Sequence, residues 1–81
     1  MGRSEIQAKV TGVLGRVLHL EPEEIDLDAS LEDGLGADSL GMVEVLLALE
    51  DAFGIEFTDD EAARIVVGRD LLDLVAARLG A

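Results

Sequence analysis

Asp38-Ser39-Leu40-Gly41-Met42-Val43-Glu44-Val45-Leu46-Leu47-Ala48-Leu49-Glu50-Asp51-Ala52-Phe53-Gly54 is the stretch that decides the fold. Met42, Val45, Leu46, Leu49 and Phe53 recur at the i, i+3, i+4, i+7, i+11 spacing of one helical face. Asp38 is placed to cap the helix at its start, and Gly54 suits the left-handed residue that closes one. The spacing therefore predicts a helix over 39–53. Leu40, Val43 and Leu47 form a second apolar stripe, interleaved with Glu44 and Asp51. A domain this small has little core in which to hide both stripes, so the second is expected to stay partly exposed. Apolar residues rimmed by acids then read as a protein-binding face.

Outward from this helix, the N-terminal flank repeats the helical pattern. Ile6, Val10, Val13, Leu14, Val17 and Leu18 share one face, and Ser4-Glu5-Ile6-Gln7 reads as a capping box that opens the helix. Gly12 and Gly15 weaken it by about 1 kcal/mol each relative to Ala, without breaking its period. It should end near His19–Glu21, because Pro22 disfavours helix in the residue before it. Residues 20–38 then form a long loop, pinned to the core by Leu20, Ile25, Leu27, Leu31 and Leu35; loops of this length are often functional. On the C-terminal side, Thr58-Asp59-Asp60-Glu61 is a second capping box. It starts a short helix expected to end near Val67-Gly68. A last helix runs from Arg69 or Asp70 to Leu79, with Leu71, Leu72, Val75 and Leu79 inward and Gly80 as its stop. No stretch alternates with period two for long enough to argue a strand. The expected fold is all-α: a small four-helix bundle with a long loop between helices 1 and 2 and a short third helix, making one domain over residues 1–81.

The 81 residues carry a net charge of −12, and its placement matters more than its size. Between Glu21 and Glu61 lie fifteen of the eighteen acids and no Lys or Arg. Such a surface repels nucleic acid and anionic membranes. It attracts proteins with Arg/Lys patches. No cysteine is present to support a disulfide framework or a cysteine metal site. No apolar run approaches the roughly 20 residues that span a bilayer, and the N-terminal residues do not read as a signal peptide. A cytoplasmic monomer is expected.

Enzymatic and metal readings fail on inventory. A Ser-His-acid triad would require His19, the sole histidine, which falls at a helix C-terminus where a surface histidine is favourable anyway. Ala37-Asp38-Ser39-Leu40-Gly41 misses the first glycine of a nucleophile elbow and follows no strand. Asp26-Leu27-Asp28-Ala29-Ser30 opens like a calcium loop, yet Leu31 and Ala37 occupy the positions that need Gly and Glu. No catalytic residue and no metal site are expected. Ser39 remains: its hydroxyl should be exposed in the first helical turn, where an attached anion would face free N–H groups and the positive end of the helix dipole.

Leu35-Gly36-Ala37-Asp38-Ser39-Leu40, continued by Val43-Glu44 and Leu49-Glu50-Asp51, resembles the attachment region of acyl carrier proteins. Phe53-Gly54-Ile55-Glu56-Phe57 and Asp59-Asp60-Glu61-Ala62 are also similar to that family, and the resemblance spans nearly the whole chain. It implies that a phosphopantetheinyl transferase, using coenzyme A and Mg²⁺, joins 4′-phosphopantetheine to Ser39. The terminal thiol would carry acyl intermediates as thioesters, and the protein itself would catalyse nothing. Asp38, Glu44, Glu50 and Asp51 would meet basic patches on an acyl- or malonyl-transferase, a ketosynthase and related synthase enzymes, while Leu40, Val43 and Leu47 fill shallow apolar contacts. Cargo would enter between the helices. Gly34 and Gly41 stand where relatives often carry acids, which points to partners other than those of a housekeeping fatty-acid carrier. Fatty-acid or polyketide assembly is the implied setting. The alternatives are an aminoacyl- or peptidyl-type carrier, or an unmodified acidic helical interaction module.

Overall fold

The caps at both ends of the central helix form as the residue types demand. In the computed structural model, which describes residues 1–80, α2 runs Ser39–Phe53. Asp38 Oδ1 accepts a hydrogen bond from the Gly41 N–H at 2.7 Å, and Gly54 closes the helix at φ 66°. The other helices are α1 (Arg3–Leu18), α3 (Asp59–Ala63) and α4 (Gly68–Leu79), with a short 3₁₀ turn at Pro22–Glu24. Among the described residues there is no strand, and only an isolated antiparallel bridge joins Ser30 and Val67.

Helix α1 is the hub, packing against both α2 and α4. Ile6, Val10, Val13 and Leu14 from α1 meet Val45 and Leu49 from α2 and Leu71, Leu72, Val75 and Ala76 from α4. All of these are buried. The long loop adds Leu27, Leu31, Leu35 and Ala37 to the same core. Leu20 and Ile25 pack against it half-buried. Arg69 fastens the loop to the start of α4 by donating from Nε to Asp28 Oδ1 at 2.7 Å, and its N–H donates to the Leu27 carbonyl at 2.7 Å. That guanidinium holds the Asp28 carboxyl below the usual carboxylate range. Lys9 lies 5.5 Å from the centre of the Phe53 ring, a cation–π contact that ties α1 to the end of α2.

Four expectations are corrected. Helix α1 is capped two residues early: Gly2 is its N-cap, its N–H donates to Glu5 Oε1 at 3.4 Å, and Ser4 lies inside the helix. The capping box at Thr58 forms, with Glu61 accepting from the Thr58 N–H at 2.9 Å and Thr58 Oγ1 from the Glu61 N–H at 3.1 Å. Yet α3 stops at Ala63 rather than near Val67. After the C-cap Arg64 comes Ile65-Val66-Val67, a β-branched run poorly suited to helix. Their backbone groups have other partners. The Leu31 N–H donates to the Val66 carbonyl at 2.9 Å, and Asp70 Oδ2 accepts from the N–H groups of Val66 and Val67 at 2.8 and 3.0 Å. The same carboxylate starts α4 at Gly68, slightly earlier than its periodicity indicates. Leu79 is exposed rather than inward, because the last turn of α4 runs past the end of the core.

Candidate functional site: the first turn and outer face of α2

Ser39 is the first residue of α2 and is exposed. The approach to it is tightly determined. Ala37 is buried, and its N–H donates to the Leu31 carbonyl at 2.8 Å. Gly36 turns the chain at φ 75°, a conformation that favours glycine. Asp38 then caps the Gly41 N–H, while the Met42 N–H donates to the Asp38 carbonyl at 2.8 Å. The N–H groups of Ser39 and Leu40 have no acceptor among the described residues. An anionic group on Ser39 Oγ therefore meets free donors and the positive helix end. An exposed hydroxyl in that setting fits a phosphodiester.

At about 100° per residue, Leu40, Val43, Glu44, Leu47 and Asp51 fall within one arc of roughly 100°. That arc lies nearly opposite the buried Val45 and Leu49, and Ser39 sits at its edge. From Ser39 to Asp51 the face is about 18 Å long. Its apolar members are open to solvent, with Leu40 67%, Val43 52% and Leu47 59% exposed. Single exposed apolar residues are ordinary; these three form one continuous apolar stripe on the surface beside the serine.

The acids predicted for this face do not all remain free. Glu44 and Asp51 are exposed. Asp38 is held by its capping bond. Glu50 is half-buried, and its Oε2 accepts from the Phe57 N–H at 2.8 Å, fastening the α2–α3 connection. A side chain that bonds seven residues further along leaves no periodic signal in the sequence. Gly41 lies off this face: a Cβ there would lie 3.1 Å from Asp38 Oδ1 and 3.5 Å from Leu18 Cδ2, so any larger residue presses on the cap.

Sequence reasoning missed a small cleft of about 140 Å³ lined by Ser30, Leu31, Glu32, Met42, Ile65 and Val66. Met42 lies one turn beyond Ser39, so cleft and serine are neighbours on α2. The Ile65-Val66-Val67 run was its available signal, because β-branched residues after a short helix suit an extended wall.

The chain matches the family described as "Phosphopantetheine attachment site" over residues 8–75. It is 38% identical to a protein named acyl carrier protein from Thermosynechococcus vestitus, over 81 residues and the whole of both chains. The chain belongs to the acyl carrier protein family. A second relative of that name, from Prochlorococcus marinus, is 38% identical over 80 residues, 99% of this chain and 100% of that protein. Membership makes the chain a non-catalytic carrier, the substrate of a phosphopantetheinyl transferase, with a covalent 4′-phosphopantetheine. When attached, that group supplies a terminal thiol for thioester formation. Residues 1–80 contain no helix long and apolar enough to cross a membrane.

Proposed function

We propose that Ser39 carries the phosphopantetheine arm and that the chain, acting as one carrier unit in the cytoplasm, presents acyl thioesters to fatty-acid or polyketide assembly enzymes. The observation that carries this reading is the exposed Ser39 hydroxyl at the capped start of α2, at the edge of the acidic and apolar outer face. Leu40, Val43 and Leu47 make the apolar contact with each partner. Glu44 and Asp51 supply the free charge that draws in Arg/Lys patches, and Asp38 and Glu50 shape the surface through their backbone bonds. The transferase, an acyl- or malonyl-transferase and a ketosynthase are the partners this face suits. An apolar cavity of about 150 Å³ holds a benzene ring. The cleft beside Met42, at about 140 Å³, is of similar size, though open-sided and lined in part by Ser30 and Glu32, and suits the first carbons of an acyl chain.

The test separates acyl from aminoacyl cargo. The phosphopantetheinylated protein is incubated with malonyl-coenzyme A and a malonyl transferase, or with an amino-acid adenylating enzyme, ATP and its amino acid. A hydroxylamine-labile mass gain in the first reaction alone supports acyl carriage. Loading only in the second establishes the aminoacyl alternative.

A further inference from the structure

Helix α3 is held differently from the other three. None of its residues is buried, and it makes only marginal contact with the other helices, whereas α1 packs on both α2 and α4. Arg78, in the last turn of α4, grips this region from outside. Its Nη1 donates to Glu61 Oε2 at 2.6 Å, and its Nη2 donates both to Glu61 Oε1 and to the Glu56 carbonyl, the latter at 3.2 Å. One planar fork thus holds the α3 carboxylate and the backbone that leads into α3. A bidentate pair of this kind is stronger and more directional than a single ion contact. The pair is also less exposed than the other two ion pairs: side-chain exposure is 32% for Arg78 and 24% for Glu61, against 46–70% for Arg3–Asp73 and Arg69–Asp28. Glu61 is held down to a pKa of about 2, first by the Arg78 hydrogen bonds and then by the Thr58 N–H.

What α3 supports follows directly after it in the chain. Ile65 and Val66 form one wall of the small cleft near Ser39. The Arg64 and Ile65 N–H groups still donate back into α3, to Glu61 and Ala62 at 3.1 and 3.3 Å. The wall is therefore joined to α3 at Ile65, and to Leu31 and to Asp70 of α4 at Val66. We propose that Arg78 is a positioning residue for the cargo, whose fork on Glu61 and the Glu56 carbonyl holds α3, and with it the Ile65–Val66 wall, in place against Met42 and Leu31. The cargo half of this proposal rests on the carrier reading; the mechanical half does not.

The experiment is arranged accordingly. Amide hydrogen exchange on the unmodified protein is compared among native, Arg78→Gln, Arg78→Lys and Glu61→Gln forms. Loss of charge-assisted hydrogen bonds at the fork should speed exchange at Ala62, Arg64 and Ile65 by about tenfold in Arg78→Gln. Glu61→Gln keeps an oxygen for the Thr58 cap and should give the same local pattern, while Arg78→Lys restores part of the protection. Amides at Val45, Leu49 and Leu72 should be unchanged. Equal acceleration in every helix, or none in α3, overturns the latch. In a second stage the protein loaded with a hexanoyl thioester is treated with hydroxylamine, and Arg78→Gln should be cleaved several-fold faster than native. Equal cleavage alongside a local exchange effect overturns the cargo half alone.

Discussion

Leu47 and Leu49 lie two residues apart on α2 and should respond to truncation in opposite ways. Leu49 is 0% exposed and Leu47 is 59% exposed. Leu49→Ala leaves a cavity between α1 and α2, at a cost of about 2–5 kcal/mol. A domain of this size has a total stability near 5 kcal/mol. With about 4–8 °C lost per kcal/mol, Tm should fall by about 8 °C at the least, and the severe end of the range unfolds the chain. Leu47→Ala removes nothing from the core, so its effect should stay within about 0.5 kcal/mol, or about 4 °C. Its consequence belongs to docking. Full burial of a leucine contributes about 1.5–3 kcal/mol, and the exposed share of Leu47 is a little over half, so covering it with a partner contributes about 1–2 kcal/mol. That corresponds to a KM for the carrier raised about 5- to 30-fold. Melts followed by circular dichroism at 222 nm, paired with malonyl-transfer kinetics using the phosphopantetheinylated carrier as varied substrate, measure both. Equal destabilisation by the two variants would refute the assignment of faces on α2. An unchanged KM in Leu47→Ala would refute the docking role.

Gly12 and Gly15 make a second opposed pair, read in the same melts. A Cβ at Gly12 meets nothing within 4 Å, so Gly12→Ala should stabilise by about 1 kcal/mol and raise Tm by about 4–8 °C. A Cβ at Gly15 would lie 2.9 Å from the Leu20 carbonyl oxygen, so Gly15→Ala should lower Tm. The Glu61 pair predicts a pH dependence. Its pKa falls from 4.5 to about 2 on folding, so the unfolded chain binds more protons and stability declines as pH drops through that window. The stability difference between native and Glu61→Gln protein, from urea melts at a pH series, should be full above about pH 4.5 and vanish as pH falls through about 2; a difference that grows in acid refutes the pairing. Finally, two carboxylates about 6 Å apart repel by roughly 0.7 kcal/mol in water, and fifteen acids between Glu21 and Glu61 have no neighbouring Lys or Arg in sequence. Sodium chloride or Mg²⁺ should therefore raise Tm, and melts insensitive to both would argue against self-repulsion.

The extent to which the chain was legible depended on whether a local rule had a tertiary competitor. Helix α2 was readable to its ends because Asp38 and Gly54 are local caps that nothing else recruits. The exposure of Leu40, Val43 and Leu47 followed from one period and the limited size of the core. The end of α3 was not readable, because the extended Ile65–Val67 backbone takes partners at Leu31 and Asp70. The start of α1 was misplaced because Ser4 fits the capping-box pattern, whereas Glu5 accepts from the Gly2 N–H instead. Acids were harder to read than apolar residues. The free Glu44 and Asp51 look like the engaged Glu50 in sequence, and the partners of Asp28 and Glu61 lie 41 and 17 residues away.

The proposal that Ser39 carries the arm is tested most directly by intact mass. Native protein and Ser39→Ala are each incubated with coenzyme A, Mg²⁺ and a broad-specificity phosphopantetheinyl transferase. Ser39 is exposed and its side chain makes no hydrogen bond among the described residues, so the variant should retain its fold by circular dichroism. The account predicts a single added phosphopantetheinyl group on the native protein and none on Ser39→Ala. No mass gain on well-folded native protein, or a gain that survives in Ser39→Ala, would contradict it.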